Sequence, residues 1–391
     1  MKKGISFMVT LVLLLALLSV GPFTVSAGGF ENKVYDVFTY NVVEDTVSII
    51  DVRADTAGAV RIPSSIEGYP VTVIGERAFD RCNLVETIEI PAKVELIEGA
   101  AFESCTSLTN ITIASGNKAY CTWDGVLFDK KRTELRCYPA GKADGEYAIP
   151  DGVKTVAAFA FAEAAKLESV TIADSVEKLD EKAFYACTGL QNIVFGIGLT
   201  TIGSESFADC TALESITIPN SVTDLGRAAF SGCSKLSDVT FGRGLKSISG
   251  TLFLNCVSLK NVGIPDNIKG ILSSAFSGCS GLVSITIPRS MAGIGSYAFH
   301  GCNNLKTVLY TGTETEKSEL IIGAQNEILD AAEWQYNAPS VQPSPTDTPV
   351  GRQLDGYLLW RWASIGGIVL VIAAVIIILL VYLIKGVKQR K

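Results

Sequence analysis

The side chains in this 391-residue chain best suited to chemistry are its ten cysteines, and eight of them are spaced too regularly for a local redox or metal motif. Cys82 and Cys105 stand 23 residues apart, and Cys187, Cys210, Cys233, Cys256, Cys279 and Cys302 repeat the same step. Three chemistries fit such a row: a disulfide ladder, a line of metal thiolates, or buried free thiols. Side chains on stacked copies point in parallel, which disfavours bonding between neighbours. An equivalent position holds Ala164, which neither pairs nor ligates, so the slot reads as one that needs a small buried group. Cys121 and Cys137 fall outside the row, and a bond between them is compatible with an oxidising compartment. The only histidine, His300, argues against His-rich metal sites and against Ser-His or Cys-His catalysis. No P-loop, GxSxG or CxxC is present. The reading assigns no catalytic residue, no cofactor and no metal.

The elements that position the cysteines form one repeat. Three residues before each cysteine slot stands a phenylalanine: Phe79, Phe102, Phe161, Phe184, Phe207, Phe230, Phe253, Phe276 and Phe299, preceded by a small residue, usually Ala, except at Phe253. An aliphatic residue lies five before each Phe, from Ile74 to Ile294, and an aliphatic six after it, from Val85 to Leu305. At nine and eleven after it comes an alternating pair, as in Ile216 and Ile218, often followed by Pro. Period two predicts a short strand with one face inward. A 23-residue coil cannot bury its own apolar side, so the coils must stack about 4.8 Å apart and pair their strands in parallel. The expected fold is an α/β repeat solenoid, nine coils and about 45 Å long by that spacing.

One step along the Phe column is 59 residues, which is a coil plus a 36-residue insertion near 115–151. Within it, Asp124-Gly125 signals a turn, and VLFD (126–129) and ELRCY (134–138) flank the polar Lys130-Lys131-Arg132-Thr133. This predicts a hairpin, either a binding knob or a tolerated loop excursion.

Both ends carry membrane signals. Residues 1–27 have a basic start, an apolar stretch and the small exit Val25-Ser26-Ala27, as a cleaved signal peptide does; an uncleaved anchor is the alternative. Residues 365–384 hold no charge and are long enough to span a bilayer as a helix. Tyr357, Trp360 and Trp362 precede this span and a basic tail, 385–391, follows, which places the body outside the cell and the tail in the cytoplasm. Residues 28–71 form an N-terminal cap, 72–310 the array, 311–338 a C-terminal cap and 339–356 a Pro-rich stalk. Six positive charges lie in the leader and tail; without them the net charge of −7 becomes −13, which argues against nucleic acid as a partner.

The coil with Ala-Phe-x-x-Cys and Ile-x-Ile-Pro resembles the BspA-like leucine-rich-repeat surface proteins, from about Tyr35 to Ala338. The cap motifs Phe38-Thr39-Tyr40, Val60-Arg61-Ile62-Pro63-Ser64 and Glu67-Gly68-Tyr69-Pro70-Val71-Thr72 fit as well. So do Gly116-Asn117-x-x-Tyr120, Asp124-Gly125-Val126-Leu127-Phe128 and the closing Asn326, Leu329, Ala331 and Trp334. The resemblance implies a leucine-rich-repeat fold and a bacterial cell-surface protein with adhesive function. The chain departs from it by ending in a plain transmembrane segment.

Such arrays bind through the outward side chains of the strand face. Here these include Asn110, Thr112, Ser169, Thr171, Asn192, Ser215, Thr217, Asp238, Thr240, Asn261, Ser284 and Thr286. They are small and polar. Two readings stand: a shallow face for an extracellular protein or glycan, or residues that merely suit an exposed strand. The acids of this face, Glu89 and Asp238, lie five coils apart, which speaks against paired-carboxylate catalysis. The expected role is a membrane-anchored adhesin or receptor-like scaffold, with a structural or docking subunit of an envelope assembly or enzyme complex as the alternative.

Overall fold

The computed structural model describes residues 32–343. The signal-peptide, transmembrane and tail segments of the sequence reading, and the stalk beyond Pro343, lie outside the described residues. Among the described residues no helix is long and apolar enough to cross a membrane.

The chain stacks coil on coil. Successive strands such as Ser169–Thr171 and Asn192–Val194, or Ser215–Thr217 and Asp238–Thr240, pair in parallel with each residue opposite its copy 23 positions on. Just past three of these strands stand Gly196, Pro219 and Gly242: Pro has no N–H for the ladder, and a Cβ at either Gly would meet the backbone of the preceding coil. A second ladder of two-residue strands runs through the aliphatic column five before each Phe, for example Lys178–Leu179 against Thr201–Ile202. Between the ladders the side chains of Phe, Cys, Leu and Ile fill the core. From Phe161 to Phe299 the rings stack at 4.5–5.8 Å between centroids, within 18° of parallel, and are fully buried.

The expected helical share is corrected. The described helices are Glu314–Lys317 and Glu327–Ala331, both in the closing cap. The Ala-Phe segments are chains of tight turns, and the fold is a β-solenoid. In every coil the residues two before and two after the Phe have left-handed φ: Arg77 and Arg81 in the first, Glu205 and Asp209 in a middle one, Tyr297 and Gly301 in the last. A left-handed residue every fourth position stops α-helix propagation. The Phe N–H also donates outward to the next coil, Phe161 to Ala183 O at 2.7 Å and Phe207 to Ala229 O at 2.8 Å, not back along its own segment. Few of these residues are Gly, so the inter-coil bonds hold the strain. Ala186 (φ 54) occupies a column that is Gly232, Gly278 and Gly301 in other coils. Ala186→Gly is expected to stabilise the fold by about 1 kcal/mol, read from the urea unfolding midpoint; a loss of stability would show that the left-handed turn carries no strain.

The insertion is more than a hairpin. Tyr120–Trp123, Val126–Asp129 and Glu134–Cys137 form an antiparallel meander, and its third strand joins the second ladder, Leu135 opposite Val156. Glu146–Ala148 then pairs in parallel with Ser169–Thr171. Residues 134–156 are therefore a further coil. Tyr138 takes the Phe slot, stacks on Phe161 at 4.9 Å and 19°, and donates its N–H to Ala160 O as Phe161 does to Ala183 O. Gly141 takes the Cys slot, where a Cβ would stand 2.6 Å from the Ser107 carbonyl carbon. The caps are coils too: Ile49 pairs with Ile74, Val60 with Ile88, Ile322 with Ile294 and Trp334 with Val308. The nine expected coils are thus extended by one in the insertion and one at each end.

The hairpin divides the core. One cluster of buried side chains runs from Phe38 to Cys137 and a second from Val126 to Leu329. Leu127 serves the first, while Val126, Phe128 and Leu135 serve the second. Alternation along a strand puts successive side chains on opposite sides, so one strand closes both cores. This corrects Phe102 as a full member of the ring ladder. It is half-buried, tilted 47° to Phe79, and the ladder resumes at Tyr138. Where the second ladder is interrupted, Ile97 N donates to the Tyr120 hydroxyl at 2.8 Å, and Arg136 Nη2 donates to Ile97 O.

Candidate functional site

The strand face follows from short strands in strict register. Each Ile-x-Ile pair turns inward, so the residues before and between them turn out. Asn192, Ser215, Thr217, Asp238, Thr240 and Asn261 are exposed, as is Thr112. Asn110, Ser169, Thr171, Ser284 and Thr286 are half-buried. The copies lie side by side: Ser169 beside Asn192, Ser215 beside Asp238, Thr217 beside Thr240, and Asn261 beside Ser284, whose hydroxyl donates to its Oδ1 at 2.7 Å. The open part of the face therefore spans the coils from Asn192 to Asn261. Its acids are separate: Glu89 pairs with Arg61 at 3.1 Å, and Asp238 accepts from the Ser237 hydroxyl at 2.6 Å.

The hairpin and the face meet. Ile111 N donates to Gly125 O at 3.0 Å, and Gly125, at φ 74, lies so close to Asn110 that a Cβ would stand 2.5 Å from its Oδ1. Asn110 is half-covered for this reason. The basic residues of the hairpin do not form one patch. Lys130 Nζ donates to Asn117 O at 2.7 Å, Lys131 is exposed, and the Arg132 guanidinium sits 4.6 Å from the centroid of the Trp123 ring. Trp123, 51% exposed beside the turn that abuts Asn110, is a contact group that the sequence reading missed. A Trp next to Asp-Gly at a hairpin turn was its only sequence signal. At the root, Asn117 is 2% exposed and fully engaged: its amide donates to Pro91 O and Val94 O, and its oxygen accepts from Ala119 N and Tyr120 N.

All ten cysteines are free. In the eight repeat cysteines each thiol donates to a backbone carbonyl of the preceding coil, at the Phe itself wherever that coil has one in the slot. Examples are Cys210 Sγ to Phe184 O at 3.2 Å, Cys233 to Phe207 O at 3.2 Å and Cys256 to Phe230 O at 3.1 Å. The slot thus uses a weak donor as well as a small volume. Burial pushes Cys233 and Cys302 up to about 12 and Cys82 to about 11, so these thiols are protonated and poor nucleophiles. The Cys121–Cys137 bond is corrected. Cys121 faces Phe128 on one side of the middle hairpin strand, and Cys137 faces Leu127 on the other. Two strand spacings, roughly 10 Å, exceed the reach of a disulfide. Cys137 is instead the small residue before Tyr138, in the Ala slot of the hidden coil. Among the described residues no group of three or more His, Cys, Asp or Glu could hold a metal ion. His300 is exposed against the Tyr297 ring at 5.8 Å.

The raised thiols give a pH dependence. In the unfolded chain they ionise near their ordinary 9.0, and in the folded chain only near 11 to 12. Between these values the unfolded state binds fewer protons, so stability falls as pH rises. Burial raises Tyr138 and Tyr147 in the same sense. Urea midpoints are expected to hold up to about pH 9 and to drop above it; a level profile to pH 11 would contradict this burial of the thiols.

The profile of the BspA type leucine-rich-repeat region matches residues 59–122, 145–260 and 200–319 in six copies, more than half of the chain. Its unmatched gap falls on the hairpin and the start of the hidden coil. A leucine-rich repeat protein from Eubacterium ventriosum is 26% identical over 75% of this chain and 68% of its own, with a TM-score of 0.51. One from Bacteroides ovatus is 25% identical over 78% and 100%, with a TM-score of 0.39. A leucine-rich cell surface protein from Faecalibacterium prausnitzii is 24% identical over 74% and 97%, with a TM-score of 0.34. No curated protein matches the chain. The Ala-Phe-x-x-Cys coils, their parallel register and the profile match agree: the chain belongs to the BspA-type leucine-rich-repeat family.

Proposed function

We propose that the protein is a cell-surface binding module of adhesin or receptor-like scaffold type, held by the hydrophobic segment at 365–384 with its body outside the cell. The observation that carries this reading is the open polar face from Asn192 to Asn261, where strand residues of successive coils stand in register with outward side chains free of a covering element. Trp123, half-exposed beside the turn that abuts Asn110, adds an aromatic contact group further towards the N-terminal end of the array. Family membership supports the scaffold role, and the uncharged span followed by a basic tail supports the orientation. The ligand is an extracellular protein or glycan.

Charge placed on the open face tests it. Thr217→Lys and Thr240→Lys, combined, are expected to leave melting nearly unchanged, since both residues are exposed and surface changes stay within about 0.5 kcal/mol each. Binding to arrayed matrix proteins or glycans should fall at least about tenfold through unpaired, desolvated ammonium groups. Trp123→Ala separates the hairpin from the face. Loss in this variant with full binding by the Thr217→Lys, Thr240→Lys variant would move the site to the hairpin.

A further inference from the structure

The column of residues ten after each Phe is mostly Thr, and at one coil it is empty: Gly263. The empty position is occupied from outside. Past the closing cap the chain turns back over the sheet. Asn337 N donates to Gly312 O at 2.9 Å and Ala338 N to Tyr310 O at 3.0 Å, while Tyr336 packs edge-on against Tyr310. Three residues later Val341 sits on Gly263, and a Cβ at 263 would stand 3.0 Å from both of its γ-carbons. Gly263 lies opposite Thr286, which lies opposite Leu309, so the segment crosses two rungs of the face between Ala338 and Val341. Val341 and Pro343 are half-buried, whereas Pro339, Ser340 and Gln342 are exposed. Pro339 and Pro343 have no N–H and cannot extend the sheet as an added strand. The segment is held by side chains dropped into the face, with Val341 filling a notch that a Thr would close.

We propose that the Gly263 notch is a peptide-binding site of the strand face, that its ligand class is an extended, proline-containing segment carrying a small branched apolar side chain, and that residues 338–343 are its resident tethered occupant. The proposal rests on the strand-face reading in so far as external ligands use the same surface. It makes the face from Gly263 towards the closing cap a self-covered region that a competing segment opens. A tethered occupant works at an effective concentration near millimolar, so a free peptide of ordinary affinity does not displace it.

The test uses the full-length protein in detergent and a fluorescent peptide with the sequence of residues 336–343. Val341→Asp empties the notch by replacing the branched apolar side chain that fills it with a charge that seeks water. This variant is expected to bind the peptide at least about tenfold more tightly than the wild type. Adding Gly263→Thr, the residue at this position in neighbouring coils, should return binding to the wild-type level. In Gly263→Thr alone, residues 339–343 should become open to protease while melting holds. Equal binding by wild type and Val341→Asp, or undiminished binding by the double variant, overturns the proposal. The readout is independent of the proposed adhesin role: loss of external binding in the Thr217 and Thr240 variants with peptide capture unchanged would separate the two.

Discussion

Phe230→Ala should destabilise the protein by about 3–5 kcal/mol, the range for removing a buried ring from a core that cannot collapse. Phe230 is fully buried between Phe207 at 5.4 Å and Phe253 at 5.8 Å, nearly parallel to both. The backbone around it is fixed by bonds to both neighbouring coils: Phe230 N donates to Leu252 O of the next coil, and Ala229 O accepts from Phe207 N of the one before. Neither neighbour can move in to fill the space without breaking its own ladder. Cys233→Ala should cost only about 1 kcal/mol, because it removes one weak donor and leaves the Phe207 carbonyl bonded to Cys210 N. Chemical unfolding of both variants measures the difference. Equal losses would mean that the thiol ladder contributes more than a hydrogen bond and a small volume.

Leu127→Ala and Phe128→Ala should each cost about 2–5 kcal/mol, but in different halves of the molecule. The two residues are adjacent and buried to 0% and 1% exposure. Leu127 faces the core of the Phe79 and Phe102 coils, and Phe128 faces the core that begins with Tyr138 and Phe161. In a stacked array each unit is stabilised by its neighbours, so damage at one face of the hairpin propagates through the coils on that side. Native-state hydrogen exchange reads this directly. Leu127→Ala should lower protection at Ile88 and Ile111, and Phe128→Ala at Val170 and Leu179. If both variants weaken the same amides to the same extent, the hairpin does not separate two cores.

The period of 23, the inward columns of Phe, Leu and Ile, the parallel strand pairs and the hairpin turn at Asp124-Gly125 were all readable from the sequence. Each is local or repeats at fixed spacing, and burial follows from the repeat itself. Three features depend on contacts distant along the chain. The Ala-Phe segment has the composition of a short helix, yet forms turns, because bonds to the next coil impose left-handed φ on residues such as Glu205 and Tyr297. The coil at Tyr138 has neither Phe nor Cys in the ladder slots. The Tyr147-Ala148-Ile149-Pro150 run was its trace, but only pairing with the coil at Phe161 reveals Tyr138 and Gly141 as substitutes. A lone Gly263 in a Thr column looks like an ordinary strand variation until Val341, 78 positions later, is found on it. Repeat spacing determines what a coil buries. Which groups meet across the insertion and past the cap is decided by the return of the chain in three dimensions, which leaves no period to read.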